Sequence, residues 1–336
     1  MKQIVLKNAL EAQPAANDFN LIEVDKPNCP EHGVVARLIF ISIDPYVGSR
    51  LRGRHMGEPA PEPGFGTIPG AAVGQVVETK SEDIKVGDYV FSMEAGWREY
   101  ADLHKGDFRK IDPDAAPLSA YVGVLGMPGL TAWAGVTQLA GVHDGDVFMV
   151  DAAAGPVGGT AGQIARARGA KTVIGIAGGP DKCNLVVDEY GFDACMDYKK
   201  DGWQDELKKH APDGISVHFE NVGSEILAFA IQNMQLYGRG VLCGLAAHYH
   251  ADGPPAMTMI GPIVGKRASL HGLVVYDYYS RWTEFTDEFA PLVKAGKIKI
   301  KEDRVEGLDK APSLMEKLMN GKNFGKCVVV AGPETE

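Results

Sequence analysis

The sequence has no run of about 18 apolar residues, which excludes an ordinary membrane-spanning helix. Its opening, MKQIVLKNALEAQPA, lacks the sustained apolar stretch of a secretion signal. Basic residues are the minority: 34 Lys and Arg against 44 Asp and Glu give a net charge of −10. That balance argues against a general nucleic-acid binder, whose phosphate contacts need clustered cations. Cysteine is sparse. Cys29, Cys183, Cys195, Cys243 and Cys327 are odd in number and form no C-x-x-C pair, so they read as buried or incidental thiols in a reducing cytoplasm. With 45% apolar and 23% charged residues, nothing in the composition suggests disorder or a fibrous chain.

What is present suggests two domains, the natural expectation for 336 residues. The first 120 or so residues carry short β-like runs broken by Gly and Pro, such as VVARLIFISIDPY, GAAVGQVVET and VGDYVFS. From about Leu125 the pattern becomes strands alternating with helical segments: VFMVDAA, KTVIGIAG, ACMDY, ISVHFENV, GRGVLCGL and SLHGLVV. Such alternation predicts an α/β fold with a doubly wound parallel sheet. After a helix expected over Arg281 to Lys294, IKIKEDRVEGLD and KCVVVA look like β segments returning to the first domain. The expected boundaries are 1–124 with 298–336 for the β-rich domain, and 125–297 for the inserted one.

The stretch VFMVDAAAGPVGGTAGQIARARGAKTVIGIAGGPDK reads as strand, glycine turn, helix and second strand. Val157, Ala161, Ile164 and Ala165 fall at helical spacing, with Arg166 and Arg168 on the polar side. Ala153-x-Gly155-x-x-Gly158 stands where a dinucleotide fingerprint belongs, between a strand and a helix. Missing side chains there let backbone approach a pyrophosphate, and the helix N-terminus favours its charge. The plain alternative is a tight strand-to-helix turn that holds no ligand. In NAD-binding versions an acid about 20 residues on takes the ribose 2′-hydroxyl, whereas a basic group suits a 2′-phosphate. Here that place holds Gly178 and Gly179, with Lys182 in the first turn of the next helix, which points to NADP(H). Asp181 is the competing residue, either reaching a ribose hydroxyl or serving as an acid in a helix's first turn.

These segments, with VLGMPGLTAW, ISIDPY, GWREY, LCGLAAHYH and NFGKCVVV in order, resemble the zinc-independent medium-chain dehydrogenases/reductases over nearly the whole chain. The resemblance is to the NADP-dependent alkenal and enone double-bond reductases. It implies a GroES-like β-rich catalytic domain, a Rossmann nucleotide-binding domain and an active site in the cleft between them. It also implies a cytoplasmic homodimer acting on a small-molecule enal or enone. By resemblance, Gly155, Pro156, Val157 and Gly158 hold the pyrophosphate, and Lys182 and Tyr198 the 2′-phosphate. Asn221, Cys243, Gly244, Leu245, Tyr249, Leu273, Val274, Val275 and Asn323 line the rest of the cofactor. Tyr46 and Met127 face the substrate. The pattern departs at DPYVGSR, where relatives carry a Met-Arg pair and this chain has Val47 and Gly48.

No metal is expected. Ala71 and Ala72 stand where zinc dehydrogenases carry His and Glu, and the cysteine-rich lobe of a structural zinc site is missing. His248, His250 and His271 form no metal-ligand spacing. Without a strong Lewis acid, carbonyl polarisation for alcohol oxidation is disfavoured. Reduction of an α,β-unsaturated carbonyl needs only a donor for the developing enolate oxygen. Tyr249 is the catalytic candidate, acting directly or through the nicotinamide ribose; the alternative is an aromatic ring that merely packs on the cofactor. A quinone reductase on the same scaffold and a non-catalytic NADPH-binding protein are the competing readings.

Overall fold

The computed structural model describes residues 1–248 and 260–334. The chain separates into two compact units: Met1–Gly123 with Lys301–Glu336, and Val124–Ile300. Met1–Gly123 contributes β1 (Lys2–Leu6), β2 (Phe19–Glu23), β3 (Val34–Ser42), β4 (Ala72–Thr79), β5 (Tyr89–Ser92), β6 (Tyr100–Leu103) and β7 (Phe108–Ile111). Val124–Ile300 contributes β8 (Val147–Val150), β9 (Thr172–Ala177), β10 (Ala194–Asp197), β11 (Ile215–Glu220), β12 (Met234–Leu242) and β13 (Ser269–Gly272). The last segment adds β14 (Glu302–Glu306) and β15 (Lys326–Val330).

In the first unit the order is β14-β15-β3-β4-β5-β7, with β6 also on β3. β3 is the hub. All nine of its residues are buried, and it pairs antiparallel with β15, β4 and β6. Its one cation, Arg37, donates through its two terminal nitrogens to Pro333 O at 2.7 Å and Gln75 Oε1 at 3.1 Å. Because β15 pairs with β3, the C-terminal segment completes this sheet. The unit is the GroES-like fold. At the end of β3, Lys326 Nζ donates to Ile43 O at 2.8 Å, Asp44 Oδ1 at 3.0 Å and Cys327 O at 3.1 Å. All three ammonium protons thus have acceptors, the condition under which a charge so deeply buried is tolerated.

In the second unit the six strands are all parallel, in the order β10-β9-β8-β11-β12-β13. This is the doubly wound Rossmann order, with its topological switch between β8 and β11. β8 and β9 are almost continuously buried runs, as expected of strands covered by helices on both faces. The helix expected after the glycine turn spans Pro156–Ala167. Ala161, Ile164 and Ala165 form its buried stripe, but Val157 is only half-buried at the turn itself. The helix after β9 is short, Pro180–Asn184, and continues as wider turns over Leu185–Glu189. The helix expected from Arg281 begins at Trp282 and ends at Lys294.

Candidate active site

The carboxyl ends of β8, β9, β11 and β12 gather most of the residues singled out in the sequence. At β8 the chain turns through Ala152, whose φ of 46° is unusual for a residue with a side chain. It then enters the Pro156–Ala167 helix with Gly155 as extended N-cap and Pro156 at the first position. A Cβ on Gly158 would lie 2.6 Å from Ala152 O and 2.7 Å from Asp151 O. Only glycine lets the helix start press so closely on the turn. Gly155 has no side chain to cap the helix, which leaves the N-terminal amides without a side-chain acceptor. Backbone approach and uncapped amides are what a pyrophosphate requires.

At the end of β9 the ring of Tyr198 covers Gly178, where a Cβ would come 2.8 Å from the phenol oxygen. Gly179 has a φ of 97°, the left-handed region that favours glycine. Its N–H donates to Asp197 Oδ1 at 2.7 Å, and the same oxygen accepts from Lys199 N at 3.1 Å. The acid close to this turn is therefore committed to holding it. Lys182 is half-buried in the helix that follows, Asp181 is exposed, and Tyr198 is about half exposed. The arrangement fits a nucleotide with a phosphate at the 2′ position: Lys182 lies in the helix that follows the two glycines, the Tyr198 phenol covers Gly178, and the neighbouring carboxylate is engaged.

Across the switch point the loops after β11 and β12 are joined. Ala246 N donates to Asn221 O and Ala247 N to Val222 O, both at 3.0 Å. Cys243 N and Gly244 N both donate to Glu220 O, at 2.9 and 3.1 Å. A Cβ on Gly244 would meet Asn221 O at 2.8 Å. Leu273 is buried and tied to Leu242 O at 2.9 Å; Leu245 and Val274 project outward, and Val275 is half-buried. Tyr249 and His250 lie outside the described residues.

Beneath these loops sits a group that the motif analysis missed. Asp151, His218 and Glu220 are fully buried, with one ligating atom from each within 4.8 Å of the others. His218 Nε2 is 3.0 Å from Glu220 Oε2 and 4.0 Å from Asp151 Oδ2. Asp151 Oδ1 accepts from Asn221 N at 2.6 Å, and Asn221 Nδ2 returns a bond to Asp151 O at 3.1 Å. Glu220 Oε1 accepts from Val222 N at 2.6 Å and Gly223 N at 2.5 Å. Burial, and then the neighbouring charge of Glu220, pushes the Asp151 carboxyl well above the usual range. Burial opposes ionisation of Glu220 as well, but hydrogen bonds from His218 and Asp151, His218's charge and the Gly223 amide outweigh it and hold Glu220 at about 2. Of the two acids, Asp151 is the one pushed toward its protonated form and Glu220 the one held as the anion. Burial, then both acids, pushes the nearby Cys243 thiol up to about 12. The signal available in sequence was the polar residue inside an apolar run, as in FMVD and VHFEN.

Met127 opens the Met127–Trp133 helix of this unit, its carbonyl accepting from Thr131 Oγ1 at 2.7 Å. In the first unit, Tyr46 follows Pro45 at the start of the Pro45–Arg50 helix, and its ring lies 5.1 Å from that of His55. Asn323 is buried there and donates to Gly325 O at 2.9 Å. Ala71 and Ala72, at the start of β4, are buried and offer no ligating atom.

Comparison with known proteins places the chain. The family model described as zinc-binding dehydrogenase matches residues 156–291, and that of the N-terminal domain of oxidoreductase matches residues 2–111. The 2-alkenal reductase (NADP(+)-dependent) of Nicotiana tabacum is 36% identical, covering 99% of this chain and 98% of its own. The NADPH-dependent curcumin reductase of Escherichia coli K12 is also 36% identical, over 98% and 97%. The crystal structure of CurA in complex with NADPH from Vibrio vulnificus superimposes with a TM-score of 0.90 at 32% identity, over 99% of this chain and 100% of that one. The chain belongs to the medium-chain dehydrogenase/reductase family, in its NADP-dependent alkenal and enone reductase branch.

Proposed function

We propose that this protein reduces the carbon–carbon double bond of α,β-unsaturated aldehydes and ketones with NADPH. The observation that carries this reading is the turn at the end of β9, where Gly178, Gly179, Lys182 and Tyr198 stand in place of a ribose-binding acid. Relatives covering essentially the whole chain are an NADP-dependent alkenal reductase and an NADPH-dependent curcumin reductase. When bound, NADPH supplies the hydride equivalent.

The chain's own residues supply position and electrostatics. Gly155, Pro156, Val157 and Gly158 hold the pyrophosphate on uncapped amides, and Lys182 and Tyr198 hold the 2′-phosphate. Asn221, Cys243, Gly244, Leu245, Leu273, Val274, Val275 and Asn323 line the remainder of the cofactor. The Asp151–His218–Glu220 group fixes the loops that carry Asn221, Cys243 and Gly244. Tyr46 and Met127 contact the substrate. The Tyr249 hydroxyl donates to the substrate carbonyl oxygen as negative charge develops on it, an interaction worth roughly 3–4 kcal/mol in a dry preorganised site. Catalysis on this account needs no metal. Among the described residues no helix is long and apolar enough to cross a membrane. A cytoplasmic homodimer is the expected state. The exposed Leu236, Tyr237, Ile260 and Val264, near the β13 edge of the second unit's sheet, support association there.

The test is NADPH oxidation against matched panels of enals, enones and quinones. Turnover with enals and enones that exceeds turnover with quinones supports the reading. Turnover with quinones alone replaces it with a quinone reductase, and binding of NADPH without turnover makes the protein non-catalytic.

A further inference from the structure

In sequence the five cysteines are isolated thiols, but the fold brings two of them together. Cys195 lies in β10, in register with Gly175 of β9. Cys183 lies in the Pro180–Asn184 helix, which packs on both strands, and its amide donates to Gly179 O at 3.2 Å. That packing makes the two thiols neighbours, each the strongest influence on the other's ionisation, and both residues are half-buried, within reach of a small oxidant. The contact with Cys195 lowers the Cys183 thiol; burial and Asp197 oppose this, and the Lys200 charge adds to it. The same contact, reinforced by burial, raises Cys195. The Lys200 charge favours the Cys183 thiolate, which makes Cys183 the candidate nucleophile and Cys195 its neighbouring partner.

Both residues border the turn described above. Cys183 directly follows Lys182. Cys195 stands two residues before Asp197, whose carboxylate holds the Gly179 and Lys199 amides, and three before Tyr198, which covers Gly178. A disulfide shortens a thiol–thiol contact to about 2.05 Å. Closing it draws the Pro180–Asn184 helix and the end of β10 together, and so displaces Lys182 relative to Tyr198.

We propose that Cys183 and Cys195 form an oxidative modification site, where a hydroperoxide converts the pair to a disulfide that weakens binding of the cofactor 2′-phosphate. The affinity half of this proposal rests on the NADP(H) reading above. The Cys183 thiolate attacks the terminal peroxide oxygen. An S–O bond forms, the O–O bond breaks, and the alkoxide or hydroxide released takes a proton from water. The Cys195 sulfur then attacks the sulfenic sulfur; the S–S bond forms, and hydroxide leaves as water with the Cys195 proton. Two thiols lose two electrons, and the peroxide gains them. A dithiol reductant reverses the change.

The experiment exposes the full-length reduced protein to hydrogen peroxide. Intact-mass analysis and peptide mapping locate the modification, and titration gives Kd for NADPH and NADH before and after. The expected result is loss of two hydrogen atoms, mapped to a Cys183–Cys195 link. With it, Kd for NADPH rises about tenfold, Kd for NADH stays unchanged, and dithiothreitol restores both states. Cys183→Ser and Cys195→Ser each abolish the link and keep NADPH affinity under peroxide. The proposal is overturned if no such link forms, or if it forms without changing Kd for NADPH. Reduced wild-type protein that binds NADPH and NADH equally removes the cofactor reading, and with it the affinity half, independently of the disulfide map.

Discussion

His218 Nε2 lies 3.0 Å from Glu220 Oε2 with neither side chain exposed to solvent. Asp151 completes the group at the switch point between β8 and β11, where a doubly wound sheet places its ligand. Three titratable groups with zero exposure are costly to bury unless charge and protons are matched. The two carboxyls also hold the Asn221–Gly223 loop, while the main-chain carbonyls of Asp151 and Glu220 accept from Asn221 Nδ2 and from the Cys243 and Gly244 amides.

Asp151→Asn tests the proton assignment. The folded protein keeps Asp151 protonated above the pH, near 4, at which the unfolded chain releases that proton. Its contribution to stability is therefore complete below about pH 4 and is lost as pH rises toward the folded value. Glu220 behaves oppositely: its contribution is complete above about 4.5 and is lost as pH falls toward about 2. Asn keeps the acceptor for Asn221 N and replaces the acid proton with an amide N–H. Urea melts should show the variant equal to wild type near pH 3 and more stable by roughly 1–3 kcal/mol at pH 8. A variant destabilised equally at both pH values contradicts a protonated Asp151.

Lys182→Ala should weaken NADPH binding about 10- to 100-fold, the loss of one charge-assisted contact, and leave NADH binding nearly unchanged. Fluorescence titration with both nucleotides reads this directly. Equal losses for the two cofactors contradict assignment of Lys182 to the 2′-phosphate.

How much of this was legible in the sequence depends on the reach of each constraint. The Gly155–Gly158 turn was readable because the demand on Gly158 is local: its missing Cβ faces backbone only a few residues earlier. The parallel strands were readable because two-sided burial leaves continuous apolar runs, as in VFMV and TVIGIA. His218 and Asp151 were not linked, because their contact arises from β8 and β11 lying side by side although a long stretch of chain separates them. Cys183 and Cys195 read as incidental for the same reason: a helix-to-strand contact leaves no spacing signature. Asp197 was invisible as a competitor to Asp181, since its role is a turn closed across two strands.

Activity should survive prolonged chelation, and elemental analysis should find less than one zinc per chain. Ala71 and Ala72, which stand where a zinc dehydrogenase carries His and Glu, offer no ligating atom. Loss of turnover on chelation, restored by zinc, contradicts the metal-free account.

Tyr249→Phe should lower kcat and kcat/KM together for a small enone, by about 10- to 1000-fold, with NADPH affinity near wild type. That pattern marks an interaction made only in the transition state. A ring that merely packs survives in Phe, so wild-type kcat under conditions where hydride transfer limits the rate contradicts the role. It moves the donor function to Tyr46 or to the cofactor ribose.

The most direct test of the central claim is the fate of the transferred hydrogen. NADPH deuterated at the nicotinamide C4 position is incubated with the protein and a simple α,β-unsaturated ketone, and the product is examined by NMR. The account predicts a saturated ketone with its carbonyl intact and deuterium on the β-carbon. Deuterium on the carbonyl carbon of an alcohol, or NADPH oxidation by quinones with no saturated ketone formed from any enone, would contradict it.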